Sequence, residues 1–527
     1  MLTLDDCMES ATLTSPRPGH GFFARLRAVP ERAWARAGFV LLCLGALIAY
    51  VVYPTYPNYD SAYALVWGRE VVHGAAPSFD AYRAPTEHPL AVAAGALLSL
   101  LGGSVAPHVW LLLTVGAFCV LIAGVYRLGR AAFGPWVGLV AALLVMSRLD
   151  YAFLAARGYI DVPYLALIAW AAALETARWR RGGVVWVLLA LAGLLRPEAW
   201  LLLAAYWFWV NWPAESSPRG LGSAASVRPE GETRVWQLLR TAGYAAIAPV
   251  VWVLVDWIAT GKPLFSLQHT SSLANDLQRT KPASQAPSFA LHSLDGTLKW
   301  PVLLGAIAGV ALAWVFARRR SAILFALAAS GLITFFAIAV AGLSVIDRYL
   351  AASALALLVF AGFAIAGFTV LDRAHPARRA WIGVACVVAL GGAAFTATHL
   401  HPGYIDRELK TRRELRQELA RDVSSPAVAA ARARCGDTIY VPNHKLIPDV
   451  RWILHAPEDA VVARSSLRDF GATARGVHVF VDGASMLTNS TYGPFVPGSR
   501  DDARIQDPGP DLRVISRSPH FVTYASC

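Results

Sequence analysis

Eleven apolar stretches, most near the length a helix needs to cross a bilayer, constrain this chain more than any other feature. They lie near residues 37–56, 106–126, 134–148, 160–177, 183–196, 198–212, 236–259, 299–317, 321–343, 348–371 and 380–398. A hydrocarbon core ~30 Å thick takes roughly 20 apolar helical residues, fewer where the membrane thins. Lipid offers no water to bond a bare N–H or C=O, so these stretches are expected to be helices. Charged residues make up only 16% of the chain and the mean hydropathy is +0.46, whereas soluble domains carry about 25% charge. The expected class is an all-α polytopic membrane protein.

Arginines set the expected orientation. With the N-terminus inside, the first inner segment holds Arg17, Arg25, Arg27, Arg32 and Arg36. The later inner connections hold Arg127 and Arg130; Arg178, Arg180 and Arg181; Arg219, Arg228 and Arg234; Arg318, Arg319 and Arg320; Arg373, Arg378 and Arg379. All are basic, as cytoplasmic connections are. They account for much of the net charge of +12. No basic run is interleaved with aromatics, so nucleic acid is not an expected partner. The opening "MLTLDDCMESATLTSP" is acidic and polar, and no A-x-A site follows the first apolar block, which is therefore expected to stay as an anchor.

Two places bear on the count. "PLAVAAGALLSLLGG" (89–103) is apolar but is expected to be an interfacial or re-entrant helix, because counting it as a span would put Arg127 and Arg130 outside. "RPE" at Arg196 to Glu198 splits one apolar region into two halves. The resulting plan is a cytoplasmic tail 1–36, a transmembrane region 37–398 of about eleven spans with a long outer loop 57–105, and an extracytoplasmic region 399–527. The turn 149–159, the loop 260–298 and the turn at Asp347 to Tyr349 fall on the same outer face.

Polar chemistry gathers on that face. Asp60 follows the first span and precedes an amphipathic stretch, Tyr63–Val66–Trp67–Val71. It is a candidate general base or metal ligand, or the N-cap of that helix. "PTEHPL" fixes Glu87 and His88 between prolines. Asp161 opens a span beside Pro163, where it either caps the helix or meets a partner, since an acid at the bilayer edge is costly alone. Arg196 either pairs with Glu198 or faces an anionic ligand. Arg348 and Tyr349 sit at the outer end of a span, where a guanidinium snorkels or clamps a phosphate. Lys262, His269, Arg279 and Lys281 add cationic candidates for an anionic headgroup.

After 398 the composition turns polar. "YIDRELKTRRELRQELARDV" reads as a helix. "DTIYV", "RWILH", "AVVAR", "GVHVFVDG" and "HFVTYA" read as short strands, giving a small α/β domain. Cys435 and Cys527 are its only cysteines and are expected to pair in an oxidising compartment. Cys43, Cys119 and Cys386 lie in apolar segments as small hydrophobes, and no C-x-x-C occurs.

The early Asp, the Pro-flanked acid before a Gly-rich helix, "GYIDVPYLALIAWAA", "LLRPEAWLLL" and "RYLAASALALLVFAG" together resemble the GT-C glycosyltransferases. The likeness is to the branch related to glycosyltransferase family 39, with its protein mannosyltransferases and lipid A aminoarabinose transferases. It covers roughly 37–398. The resemblance implies a polyprenyl-phosphate sugar donor at the outer leaflet of the cell membrane and transfer, usually inverting, to a hydroxyl on a glycan, lipid or protein acceptor. It implies Asp60 as general base, Glu87 and Asp161 as the acids of the outer loops, and Arg348 against the donor phosphate. Relatives often carry paired acids where Asp60 is followed by Ser61, so a divalent cation stays open; no nucleotide is expected. Two alternatives are a flippase for a lipid-linked saccharide and a non-catalytic binding protein of the same fold.

Overall fold

The computed structural model describes residues 30–212, 232–277, 279–280, 282–399, 402–466, 474–483, 486, 508 and 511–527. Arg17, Arg25, Arg27, Arg219, Arg228 and Lys281 lie outside them. Two units divide at Gly45. The helix that runs through this point, α1 (Glu31–Val52), buries none of its residues. Beyond Arg36 its residues are apolar or small, a surface suited to lipid.

All eleven apolar segments are helical. They are α1, α4 (Val105–Phe133), α5 (Pro135–Ser147), α7 (Asp161–Ala177), α8 (Gly183–Leu195), α9 (Ala199–Asn211), α10 (Arg234–Thr260), α13 (Trp300–Ala317), α14 (Ala322–Val340), α15 (Ala351–Ala366) with flanking 3-10 turns, and α16 (Ala377–His399). The expected count of eleven spans is reduced. Seven helices are each long and apolar enough to cross, or eight if α5 and the following α6 (Leu149–Ala156), bent by 60°, form one span. The 13-residue α8 and α9 rise only about 20 Å each. They pack on each other through Val185, Trp186, Leu189, Leu203 and Tyr206. Pro197 divides them: it denies the preceding residue helical geometry, and Arg196 is extended at φ −149°, ψ 128°.

The long loop 57–105 is itself folded. It holds α2 (Tyr59–Val72) and the 11-residue α3 (Pro89–Ser99), too short to cross. Gly68 of α2 and Gly95 of α3 meet backbone to backbone, and a Cβ at either would collide with the other helix. The segment 149–159 is the helix α6 rather than an open turn. The loop 260–298 carries α11 (Phe265–Asp276) and α12 (Ala286–Leu298).

Beyond α16 come α17 (Pro402–Val423) and α18 (Pro426–Cys435), the latter capped by Ser425. A five-stranded sheet follows, of order β2-β1-β3-β5-β4: β1 (Ile439–Val441), β2 (Val461–Ala463), β3 (Gly476–Val481), β4 (Arg513–Arg517) and β5 (Phe521–Ser526). β2, β1 and β3 run parallel, and β5 and β4 are antiparallel. "RWILH" corrects to a helix: it belongs to α19 (Ile447–Leu454), started by Pro448 and burying Ile447, Val450 and Trp452. Cys435 and Cys527 are joined by a disulfide.

This C-terminal region shares its core with the first loop. One buried cluster runs from Tyr63, Trp67 and Phe79 to Leu419, Val450 and Phe521. Arg451 of α19, 1% exposed, pairs with Glu70 of α2 and donates to Ser78 Oγ at 2.8 Å. In return Arg69 donates to the carbonyls of Arg451 (2.9 Å) and Trp452 (3.2 Å). At the other end of α2, the His444 ring meets Tyr59 edge-on at 5.7 Å.

Candidate active site

The site begins with the cap of α2. Asn58 fills that role, its side-chain oxygen accepting from the N–H groups of Asp60 (2.7 Å) and Ser61 (3.2 Å). Its own Nδ2 donates to Arg157 O at 3.1 Å, and Ser61 Oγ donates to Gly158 O at 2.5 Å. The first turn of α2 is thereby tied to the turn that precedes α7. Asp60 does not cap the helix, and its carboxylate is left to face Arg348 Nη1 at 3.5 Å.

Asp161 is the first residue of α7, with Pro163 in the same turn, and it makes no cap. Its Oδ1 accepts from Arg196 Nη1 at 2.7 Å and its Oδ2 from Arg348 Nη1 at 3.2 Å. Arg196, turned outward from the helical path by Pro197, also pairs with Glu198 at 3.2 Å. Asp60, Arg348, Asp161, Arg196 and Glu198 thus form one alternating chain of charge. Aromatic faces line it: Arg196 lies 5.8 Å from the ring centres of Tyr164 and Tyr349, and Arg348 lies 5.3 Å from that of Tyr159. The chain grades in access. The side chains of Asp161 and Arg196 are 2% and 7% exposed, those of Asp60 and Arg348 22% and 34%. The buried end is a fixed scaffold and the open end can meet a ligand. Arg279 is close enough to act electrostatically on Asp60 and Arg348.

Glu87 lies elsewhere. It is fully buried and accepts a short hydrogen bond from Ser266 Oγ, which also lies 2.6 Å and 2.7 Å from the two carboxyl oxygens of Asp256. The Ser266 backbone N–H donates to Asp256 (2.9 Å), and the Trp252 indole N–H donates to Ser266 Oγ (2.7 Å). No cation pairs with either acid among the described residues. Burial pushes the Glu87 carboxyl well above its usual range, the hydrogen bond with Asp256 adds to this, and Ser266 opposes it. His88 is buried edge-on to Trp252, and burial, aided by Arg196, drives its imidazole down to about 3. It is a neutral wall between the two clusters.

The remaining candidates separate. Tyr349 joins the site through Arg196. His269 bonds to Ala84 O at 3.0 Å and stacks on Phe265, behind the loop. Lys262 is exposed, at the far end of α10. Sequence reasoning passed over Asp256, Ser266 and Tyr159. Asp256 carried a signal, as a lone acid in an apolar helix; Ser266 and Tyr159 carried none. Among the described residues no three His, Cys, Asp or Glu side chains gather as a metal-holding group.

No protein-family model matches the sequence, and no curated protein does. Solved structures do. ArnT from Cupriavidus metallidurans in the apo state is 14% identical, with 93% of this chain and 98% of that chain covered at a TM-score of 0.55. The oligosaccharyltransferase of Archaeoglobus fulgidus tethered with an acceptor peptide is 13% identical, with 81% and 63% covered at 0.49. AglB of the same organism, in complex with an inhibitory peptide and a dolichol-phosphate, is 14% identical, with 82% and 64% covered at 0.47. Over nearly its whole length the chain has the fold of ArnT.

Proposed function

We propose that this protein transfers a sugar from a polyprenyl-phosphate donor to a hydroxyl acceptor, on the membrane face opposite its arginine-dense connections. The observation that carries this is the graded charge chain. A carboxylate, Asp60, and a guanidinium, Arg348, stand side by side at its open end, while Asp161 and Arg196 brace them from the buried end.

The chemistry needs both groups. The acceptor oxygen attacks the anomeric carbon as its proton passes to Asp60. The bond from that carbon to the phosphate oxygen breaks with its electron pair, and the polyprenyl phosphate leaves. Arg348 balances the charge that grows on the leaving phosphate, with Arg279 as a second cation. Attack opposite the leaving group inverts the anomeric centre. Asp161 touches neither reactant and holds Arg348 and Arg196 in place. Glu87 and His88 form the wall behind. The C-terminal region lies on the same outer face and anchors α2.

The test is Asp60→Asn in protein reconstituted with a polyprenyl-phosphate sugar. Turnover should fall roughly 10²–10⁴-fold, with donor binding retained. Unaltered turnover would remove Asp60 as base. In the host, deletion should change the cell-envelope glycans or glycoproteins seen by mass spectrometry. An unchanged profile with lipid-linked precursor accumulating on the cytoplasmic side would favour transport instead.

A further inference from the structure

The turn between α7 and α8 is organised around a carboxylate that is already fully used. Glu175, 2% exposed, accepts from the backbone N–H of Arg180 and of Arg181 (3.1 Å), from Tyr206 O–H (3.0 Å) and from the Trp209 indole N–H (2.9 Å). The Tyr206 hydroxyl in turn accepts from Gly182 N–H at 2.9 Å. The "RWRRG" turn at 178–182 is therefore pinned to the end of α9. The pinning holds Arg180 at φ 54°, a region few side-chain-bearing residues occupy.

The Arg180 side chain is left with unused donors. The residue is 4% exposed and its guanidinium lies 5.0 Å from the centre of the Trp209 ring. Its Nε and Nη2 have no hydrogen-bond partner. Glu175 has no oxygen to spare, and no other carboxylate pairs with Arg180 among the described residues. Burying an unbonded cation is costly. The two idle nitrogens are those of one edge of the guanidinium fork, the edge that grips two oxygens of one oxyanion.

The surroundings suit a lipid headgroup. Arg178 and Arg181 are exposed beside the turn, and Trp179 packs on Trp209 at 5.0 Å. Tryptophans with arginines at helix ends mark the headgroup level of a bilayer. Basic pockets between span ends hold phosphate headgroups. We infer that the Arg180 turn binds the phosphate of an acidic phospholipid. Arg180 supplies the paired N–H donors, Arg178 and Arg181 draw the headgroup in, and the indoles lie level with the glycerol backbone. This is independent of the sugar-transfer reading, because the turn lies at the opposite end of α7 from Asp161.

Native mass spectrometry of delipidated full-length protein, offered phosphatidylglycerol or phosphatidylcholine in detergent, tests the inference. The wild type should retain phosphatidylglycerol in preference. Arg180→Gln should weaken that retention about tenfold. Arg180→Lys should keep part of it, and the Arg178→Gln, Arg181→Gln pair should lose less than Arg180→Gln. Equal retention by the wild type and Arg180→Gln overturns the site, as does equal retention of the two lipids by the wild type, a comparison that stands even if the variant fails to fold. Thermal stabilisation by millimolar inorganic phosphate that matches the lipid would assign the site to a soluble anion and overturn the lipid.

Discussion

The chain holds two pairs of acids near its helix ends, and it treats them oppositely. Asp60 and Asp161 lie on a ladder of arginines, with Asp60 22% exposed. Among the described residues Glu87 and Asp256 have no cationic partner, and one serine hydroxyl bridges them. The first pair is met by guanidinium groups, and its Asp60 end is open while its Asp161 end is closed. In the second, burial pushes the Glu87 carboxyl up, and the neighbouring acid adds to this. Having acids near helix ends is therefore not what makes a reactive site. What sets Asp60 apart is that it has both an arginine partner and solvent access, whereas Asp161 has only the first and Glu87 neither.

The sharpest test of this contrast is Arg348→Gln. It should cut turnover by roughly 10²–10³-fold while the protein stays folded, measured with the reconstituted donor; an equal loss from Ser266→Ala would erase the distinction. Asp161→Asn comes next. It leaves Arg196 buried with Glu198 alone, and should cost about 3 kcal/mol in denaturant unfolding, with turnover falling as well. Ser266→Ala strips the bridge between the second pair, and should cost about 1–2 kcal/mol with little change in turnover per folded molecule. Smallest is Glu87→Gln, and its sign depends on pH. The Glu87 carboxyl is raised above 4.5 in the folded state, so its share of stability is full below 4.5 and is lost as pH rises toward the folded value. In Glu87→Gln that decline should flatten, seen as a thermal midpoint that varies less between acid and neutral pH; an unchanged pH profile would mean Glu87 is ionised after all.

Much of this was legible in the chain, and the losses have physical causes. Asp161, Arg196 and Arg348 each sit where a proline or a helix end interrupts an apolar run, so their motifs stood out separately. Pairing them needed only that the helix ends lie on one side. Asp256 was not legible as the partner of Glu87, because a lone acid in an apolar helix names no partner across 169 residues of chain. The 451–455 stretch reads as a strand in the sequence but is helical, because five residues are too few for a 3.6-residue period to declare itself. Eleven apolar segments were legible and all are helical, but apolar composition does not reveal whether a 13-residue helix crosses or merely packs.

The clasp between α2 and α19 also has a bearing on how the protein is made. Glu70 and its partner Arg451 are 381 residues apart. At roughly 5–20 residues per second, the ribosome needs about 20–75 s to reach the second after finishing the first. Through that interval the helix bearing Asp60 has been delivered without the neighbour that completes its core. The segment bearing Asp60 is among the first to emerge and among the last to mature, so a chain halted just past its last apolar helix would still lack the neighbour that completes the core of the first loop.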